Sequence, residues 1–121
     1  MAEVLNLSLT GAAVETTFRP SFDGRYRLCF ARGASRLETS ARVVRCALQR
    51  MRPGPGGEAE AVYEVGFEFQ EVLGRNARKI LRFIDGNAVV GPGLRVVDRF
   101  ALEEGTRVDL VALDPACPVP R

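Results

Sequence analysis

Three arginine pairs in this chain share one spacing: Arg32 with Arg36, Arg78 with Arg82, and Arg95 with Arg99. A guanidinium is planar and permanently charged. It can make two parallel hydrogen bonds to a phosphate or lay its face on a flat ring, which an ammonium cannot do. Of the 17 basic residues only Lys79 is a lysine, a bias that suits a phosphate or nucleobase partner and that GC-rich coding would equally produce. Near the start, Asn6, Ser8 and Gly11 form a short polar cluster. Read as a strand running into a turn, Asn6 and Ser8 project to the same side by alternation. Gly11 then lets the turn take a positive φ, or lets a ligand approach the backbone.

Spacing alone does not select among the arginine pairs, because so many arginines produce such matches by chance. Arg78 and Arg82 fit the solvated face of a helix, and Arg32 and Arg36 fit a turn between strands. Arg95 and Arg99 sit in a loop leading into a strand, where side chains are free to close on a ligand.

Other chemistries lack their residues. The chain has no histidine, and Cys29, Cys46 and Cys117 are odd in number and far apart. Disulfide, zinc and histidine-dependent readings therefore fall away. No nucleophile motif and no carboxylate pair at a recognisable spacing is present, so no enzyme, no catalytic residue, no metal and no cofactor are expected. A net charge of +2 and the lack of an exposed aromatic motif argue against nucleic acid. No run of apolar residues is long enough to span a bilayer, and the opening residues lack the blocks of a signal peptide, so a cytoplasmic protein without membrane insertion is expected.

The elements that must position these residues follow from periodicity. A length of 121 residues suits one domain. Val4 to Leu9 alternates with Leu5, Leu7 and Leu9 on one face; Ala12 to Thr16 continues as a second strand. Arg25 to Ala31 places Tyr26, Leu28 and Phe30 together. Leu37 to Leu48 predicts a strand bulged near Thr39, with Ala41, Val43 and Arg45 on one face and Val44, Cys46 and Leu48 on the other. "MRPGPGGEAE" predicts a flexible connection without regular structure. Ala61 to Gln70 alternates most cleanly, with Tyr63, Val65, Phe67 and Phe69 inward as core. From Glu71 the period becomes helical, with Val72, Leu73, Ala77, Ile80, Leu81 and Ile84 on the apolar side and Gly86 as the stop. "TRVDLVALD" predicts a last strand facing Val108, Leu110 and Ala112 inward. The sum is a mainly β domain, a small antiparallel barrel of about six strands with one amphipathic helix.

At this point the sequence resembles the PilZ domain family of bacterial cyclic di-GMP receptors. "NLSLTG" is similar to the family's Asp/Asn-x-Ser-x-x-Gly motif, and "ARVVRC", "YEVGFEFQEV" and "ARKILRFI" are similar to its closing strands and helix. The resemblance covers residues 3 to 86. In the family an Arg-x-x-x-Arg segment precedes the first strand; here only Met1 to Glu3 stand before Val4. Arg95 and Arg99, followed by "FALEEGTRVDLVAL", look like that segment displaced to the C-terminal part. The rotated order leaves a circular permutant, a piece of a tandem and a strand exchanged between subunits all open.

The resemblance implies a non-enzymatic receptor whose ligand is cyclic di-GMP, held by Arg95, Arg99, Asn6, Ser8 and Gly11, with the arginine loop ordering on binding and the signal passing to an effector protein. The alternative is a PilZ-like interaction module without nucleotide binding, in which pairing into a homo-oligomer is one arrangement. Chain organisation is expected as one domain over 1–121: barrel strands and helix at 3–86, linker at 87–93, arginine loop and final strand at 94–113, and tail at 114–121.

Overall fold

The computed structural model describes residues 2–70, 74–87 and 106–113. Six strands, β1 (Ala2–Leu7), β2 (Gly11–Thr16), β3 (Arg25–Arg32), β4 (Ser35–Pro53), β5 (Ala59–Phe69) and β6 (Arg107–Ala112), and one helix, α1 (Arg75–Asn87), follow one another with α1 between β5 and β6. The strands close into a barrel in the order β1, β2, β5, β4, β3, β6, every neighbouring pair antiparallel. Closure leaves no unpaired strand in the ring, the usual way a small all-β domain avoids a reactive edge.

Alternation fills the interior. Tyr26, Leu28 and Phe30 of β3, Val65, Phe67 and Phe69 of β5, and Val108 and Leu110 of β6 are all buried, as the period-two pattern predicts. Tyr63 is half-buried and packs against this core. Tyr26 meets Phe67 edge-on at 6.1 Å, and Phe30 meets Phe69 edge-on at 6.4 Å, arrangements that satisfy the ring quadrupoles. Ile80, Phe83 and Ile84 of α1 are buried with them, and the Phe83 ring lies 6.1 Å from Phe30. The helix thus plugs one end of the barrel. Asn76 Nδ2 donates to Thr39 Oγ1 at 3.1 Å, tying α1 to β4.

Four local expectations are corrected. In β1 the ladder with β2 skips a residue between Val4 and Asn6. Leu5 is the extra residue, so Ala2, Val4 and Leu7 face the core in place of a Leu5–Leu7–Leu9 face, and Leu9 is exposed. The bulge foreseen near Thr39 is absent, since Leu28 pairs with Thr39 in unbroken register. The breaks in β4 fall instead at Val44 and Gln49, where two residues oppose one on β5. A bulge reverses the inside and outside of all that follows. Hence Cys46 packs on the core while Arg45 turns outward.

The segment at Met51–Pro53 is not irregular, because β4 runs to Pro53 and pairs there with Ala59. Proline is tolerated at a strand's last position, where no ladder N–H is demanded of it. In α1, Leu81 is half exposed and the helix continues through Gly86 to Asn87. The expected start at 71–73 lies outside the described residues.

Ion pairs cross the outer surface of β4 and its neighbours. The best formed is Arg50 on Glu15 of β2, with Nη1 to Oε2 at 3.0 Å and Nη2 to Oε1 at 2.6 Å. The Arg50 hydrogen bond outweighs burial and holds the Glu15 carboxyl below its ordinary value. A depressed carboxyl adds stability above its unfolded value, and that stability is lost as pH falls through the folded one. Glu15→Gln is therefore expected to lower the melting temperature at neutral pH and to flatten its fall below about pH 4.5. A melting curve series in which the variant keeps the parent's acid slope would overturn this.

Candidate functional site

The turn between β1 and β2 is built around one hydroxyl. Ser8 is buried, and its Oγ accepts from the backbone N–H of Thr10 at 3.2 Å and of Gly11 at 3.1 Å. The same hydroxyl lies 3.2 Å from the Gly11 carbonyl and 3.3 Å from Thr10 Oγ1, so its one proton also has a partner inside the turn. A serine whose side chain replaces missing backbone partners is a common turn device.

Gly11 has no positive φ, which overturns the first of the two roles expected of it. Its demand for glycine comes from packing. A Cβ at this position would stand 2.1 Å from the carbonyl oxygen of Phe67 on β5. Gly11 pairs with Glu68, and the neighbouring Phe69 N–H donates to the Thr10 carbonyl at 2.8 Å, so the turn is fastened to β5 at van der Waals limit.

Beside this turn a single row crosses four strands: Asn6 on β1 pairs with Ala13 on β2, Ala13 with Gly66 on β5, and Gly66 with Arg45 on β4. All four project outward, since their sequence neighbours Leu7, Val14, Val65 and Cys46 face the core. Two of the row's side chains are almost absent. The result is an open cleft of about 480 Å³ floored by Ala13 and Gly66, with Asn6 and the Ser8–Gly11 turn at one side and Arg45 at the other. That volume falls in the range of small-molecule sites, roughly 300–1,000 Å³.

A family model described as the PilZ domain matches residues 1–86. The chain belongs to the PilZ domain family. Neither the curated proteins nor the solved structures compared with the chain contain a match. The match spans β1 through nearly all of α1, so the PilZ assignment rests on the elements that build the cleft.

Of the five residues expected at the site, Asn6, Ser8 and Gly11 lie together on this cleft. The Asn6 side chain makes no hydrogen bond among the described residues, leaving its carboxamide free to face a ligand. Ser8 is already committed to the turn. Arg95 and Arg99 lie outside the described residues. The strand that follows them has a defined direction: β6 is antiparallel to β1, with Glu3 opposite Arg107 and Ala2 opposite Val108. Traced backward from Ala112 to Thr106, β6 therefore heads toward the end of the barrel where β1 gives way to the Ser8 turn.

Arg45 is the cleft residue that sequence reading missed. Strict alternation through β4 assigns it to the face of Ala41 and Val43, and only the Val44 bulge brings it out. Its guanidinium reaches Glu64 Oε2 at 3.6 Å, with the side chain 54% exposed. Gly66 makes room for it, since a Cβ there would meet the Arg45 Cβ at 3.3 Å. A glycine in the middle of the cleanest alternating strand was the available signal. One carboxylate, Glu68, lines the cleft, and a second, Glu64, stands beside it on Arg45. Glu68 is held at 3.2 Å by Arg42, which also grips Asp23 at 2.7 Å, and Glu64 is held by Arg45.

The cysteines take no part. Cys29 and Cys46 are half-buried and outside any disulfide, and burial pushes both thiols up from their ordinary value. Neither is a ready thiolate. Among the described residues no group of acidic, cysteine or histidine side chains could hold a metal ion, and no helix is long and apolar enough to cross a membrane.

Proposed function

We propose that this chain is a cyclic di-GMP receptor that binds its ligand in the cleft over Ala13 and Gly66 and signals by ordering the arginine loop. The observation that carries the reading is the row from Asn6 to Arg45, which sets a free carboxamide and a guanidinium on either side of a nearly side-chain-free floor. A carboxamide offers both a donor and acceptors, the combination a guanine edge requires. An arginine supplies charge for phosphate and a face for stacking. Arg95 and Arg99, in the segment ahead of β6, would close over the ligand from the Asn6 side. Ser8 and Gly11 act in this reading as the shapers of the rim: the hydroxyl holds the turn and the glycine seats it on β5.

Titration calorimetry with cyclic di-GMP tests the proposal. Saturable heat together with a raised melting temperature is expected; a flat titration with an unmoved melting temperature would end it. Arg45→Ala is expected to weaken binding by about tenfold, the loss of one charge-assisted contact, without lowering the melting temperature of the free protein. Unchanged affinity would remove Arg45 from the site.

A second reading is a PilZ-like interaction module that binds no nucleotide, as a single domain or as a homo-oligomer. Two observations favour it: the Ser8 hydroxyl is fully used within its own turn, and the cleft is lined by the Glu68 carboxylate, which repels phosphate, while Glu64 engages Arg45. The same calorimetry separates the readings. In both, the chain works without catalysis in the cytoplasm and acts through a partner protein.

A further inference from the structure

Five arginines of this barrel are held in ion pairs among the described residues. On β3 and β4, Arg27, Arg42, Arg45, Arg50 and Arg52 each hold a carboxylate at 2.6 to 3.6 Å. At the plugged end, Arg36 of the β3–β4 hairpin and Arg75, Arg78, Lys79 and Arg82 of α1 are exposed. Among the described residues none of these five makes an ion pair. The Arg36 guanidinium is nonetheless positioned, because Nη1 donates to the carbonyls of Gly33 and Ser35. Gly33, at a φ of 58°, turns the hairpin so that those carbonyls face the side chain.

Between the hairpin and α1 lies an open groove of about 430 Å³. Arg36, Lys79 and Arg82 stand around it, and Leu37 and Phe83 form its buried floor. Its one acid among the described residues, Glu38, is engaged at 3.2 Å by Arg27. The cleft of Asn6 and Arg45 shares no lining residue with this groove.

We propose that the groove between α1 and the β3–β4 hairpin docks an acidic segment of a partner protein, with carboxylates on Arg36, Lys79 and Arg82. Charge complementarity selects the occupant. Cations gathered in one groove and making no ion pair among the described residues create a local positive potential that attracts a carboxylate run and speeds its encounter. A single-stranded nucleic acid would want exposed rings for stacking, and the exposed aromatic among the described residues, Phe22, belongs to the β2–β3 connection, away from α1. The proposal goes beyond nucleotide binding and does not depend on it.

The test is fluorescence anisotropy at low ionic strength with a labelled oligo-glutamate peptide, a labelled single-stranded oligonucleotide and vesicles of phosphatidylserine in phosphatidylcholine. The peptide is expected to bind, with affinity falling as salt rises. Lys79→Glu combined with Arg82→Glu, and separately Arg36→Glu, should each weaken it about tenfold or more, while Arg45→Ala leaves it unchanged. Melting temperatures of all variants establish that the fold is kept. Absence of peptide binding, insensitivity to all three charge reversals, or tighter binding of the oligonucleotide or the vesicles would each overturn the proposal. Calorimetry with cyclic di-GMP can fail without touching this result, and the reverse holds as well.

Discussion

Gly11→Ala is expected to lower stability by about 3 kcal/mol or more, because overpacking against rigid backbone is the costly kind. The added methyl would meet the Phe67 carbonyl oxygen at 2.1 Å, well inside any real carbon–oxygen approach. No side chain can move aside, since the obstacle is the β5 backbone itself, which pairs with β2 along six positions from Gly11↔Glu68 to Thr16↔Tyr63. Relief requires β2 to lift from β5, which would break the Phe69 N–H to Thr10 carbonyl bond at 2.8 Å. For a domain of this size, 3 kcal/mol corresponds to a melting temperature about 15 °C lower. Thermal unfolding followed by circular dichroism measures it. If the variant melts within a few degrees of the parent and loses only ligand binding, the glycine is there for the ligand and the packing account is wrong.

The second large effect concerns the proposed arginine loop. Arg95→Ala and Arg99→Ala are each expected to weaken cyclic di-GMP binding about 100-fold, equal to about 2.7 kcal/mol and in line with one or two charge-assisted hydrogen bonds. The double variant should be scarcely worse than either single one. Fixing the loop costs conformational entropy that two arginine contacts offset together, so removing one lets the loop go. Melting temperatures without ligand should stay at the parent's value, which separates this loss from a folding defect. Calorimetric affinities equal to the parent's in either single variant would exclude the loop from the site.

Periodicity made most of the barrel legible. β3, β6 and β5 from Tyr63 onward alternate without interruption, and Tyr26, Phe30, Phe67 and Val108 are inside as their pattern demands. The misreadings cluster where a strand departs from period two. A bulge leaves no reliable mark on single residues, since Leu5, Val44 and Gln49 differ in no obvious way from their neighbours. It nevertheless reverses every later side chain, and that reversal hid Arg45. Pro53 and the glycines after it suggested an earlier strand end than the paired backbone of β4 and β5 allows. The turn was visible as a polar cluster ending in glycine. What the sequence could not reveal was the division of labour within it: Asn6 free, Ser8 occupied, Gly11 pressed on β5. Such assignments depend on distances between residues far apart in the chain, as between Gly11 and Phe67.

The strand that closes the ring is also the last of the six to leave the ribosome. Until Arg107 to Ala112 emerge, β1 and β3 have no neighbour on the sides that β6 will occupy. Pairings as remote as Ala2 with Val108 form slowly, because a long loop must close before they contribute. A nascent chain paused short of β6 therefore presents two adhesive borders to other nascent chains on the same message. Synthesis rate through the segment ahead of β6 should consequently govern how much of the product ends up in inclusion bodies.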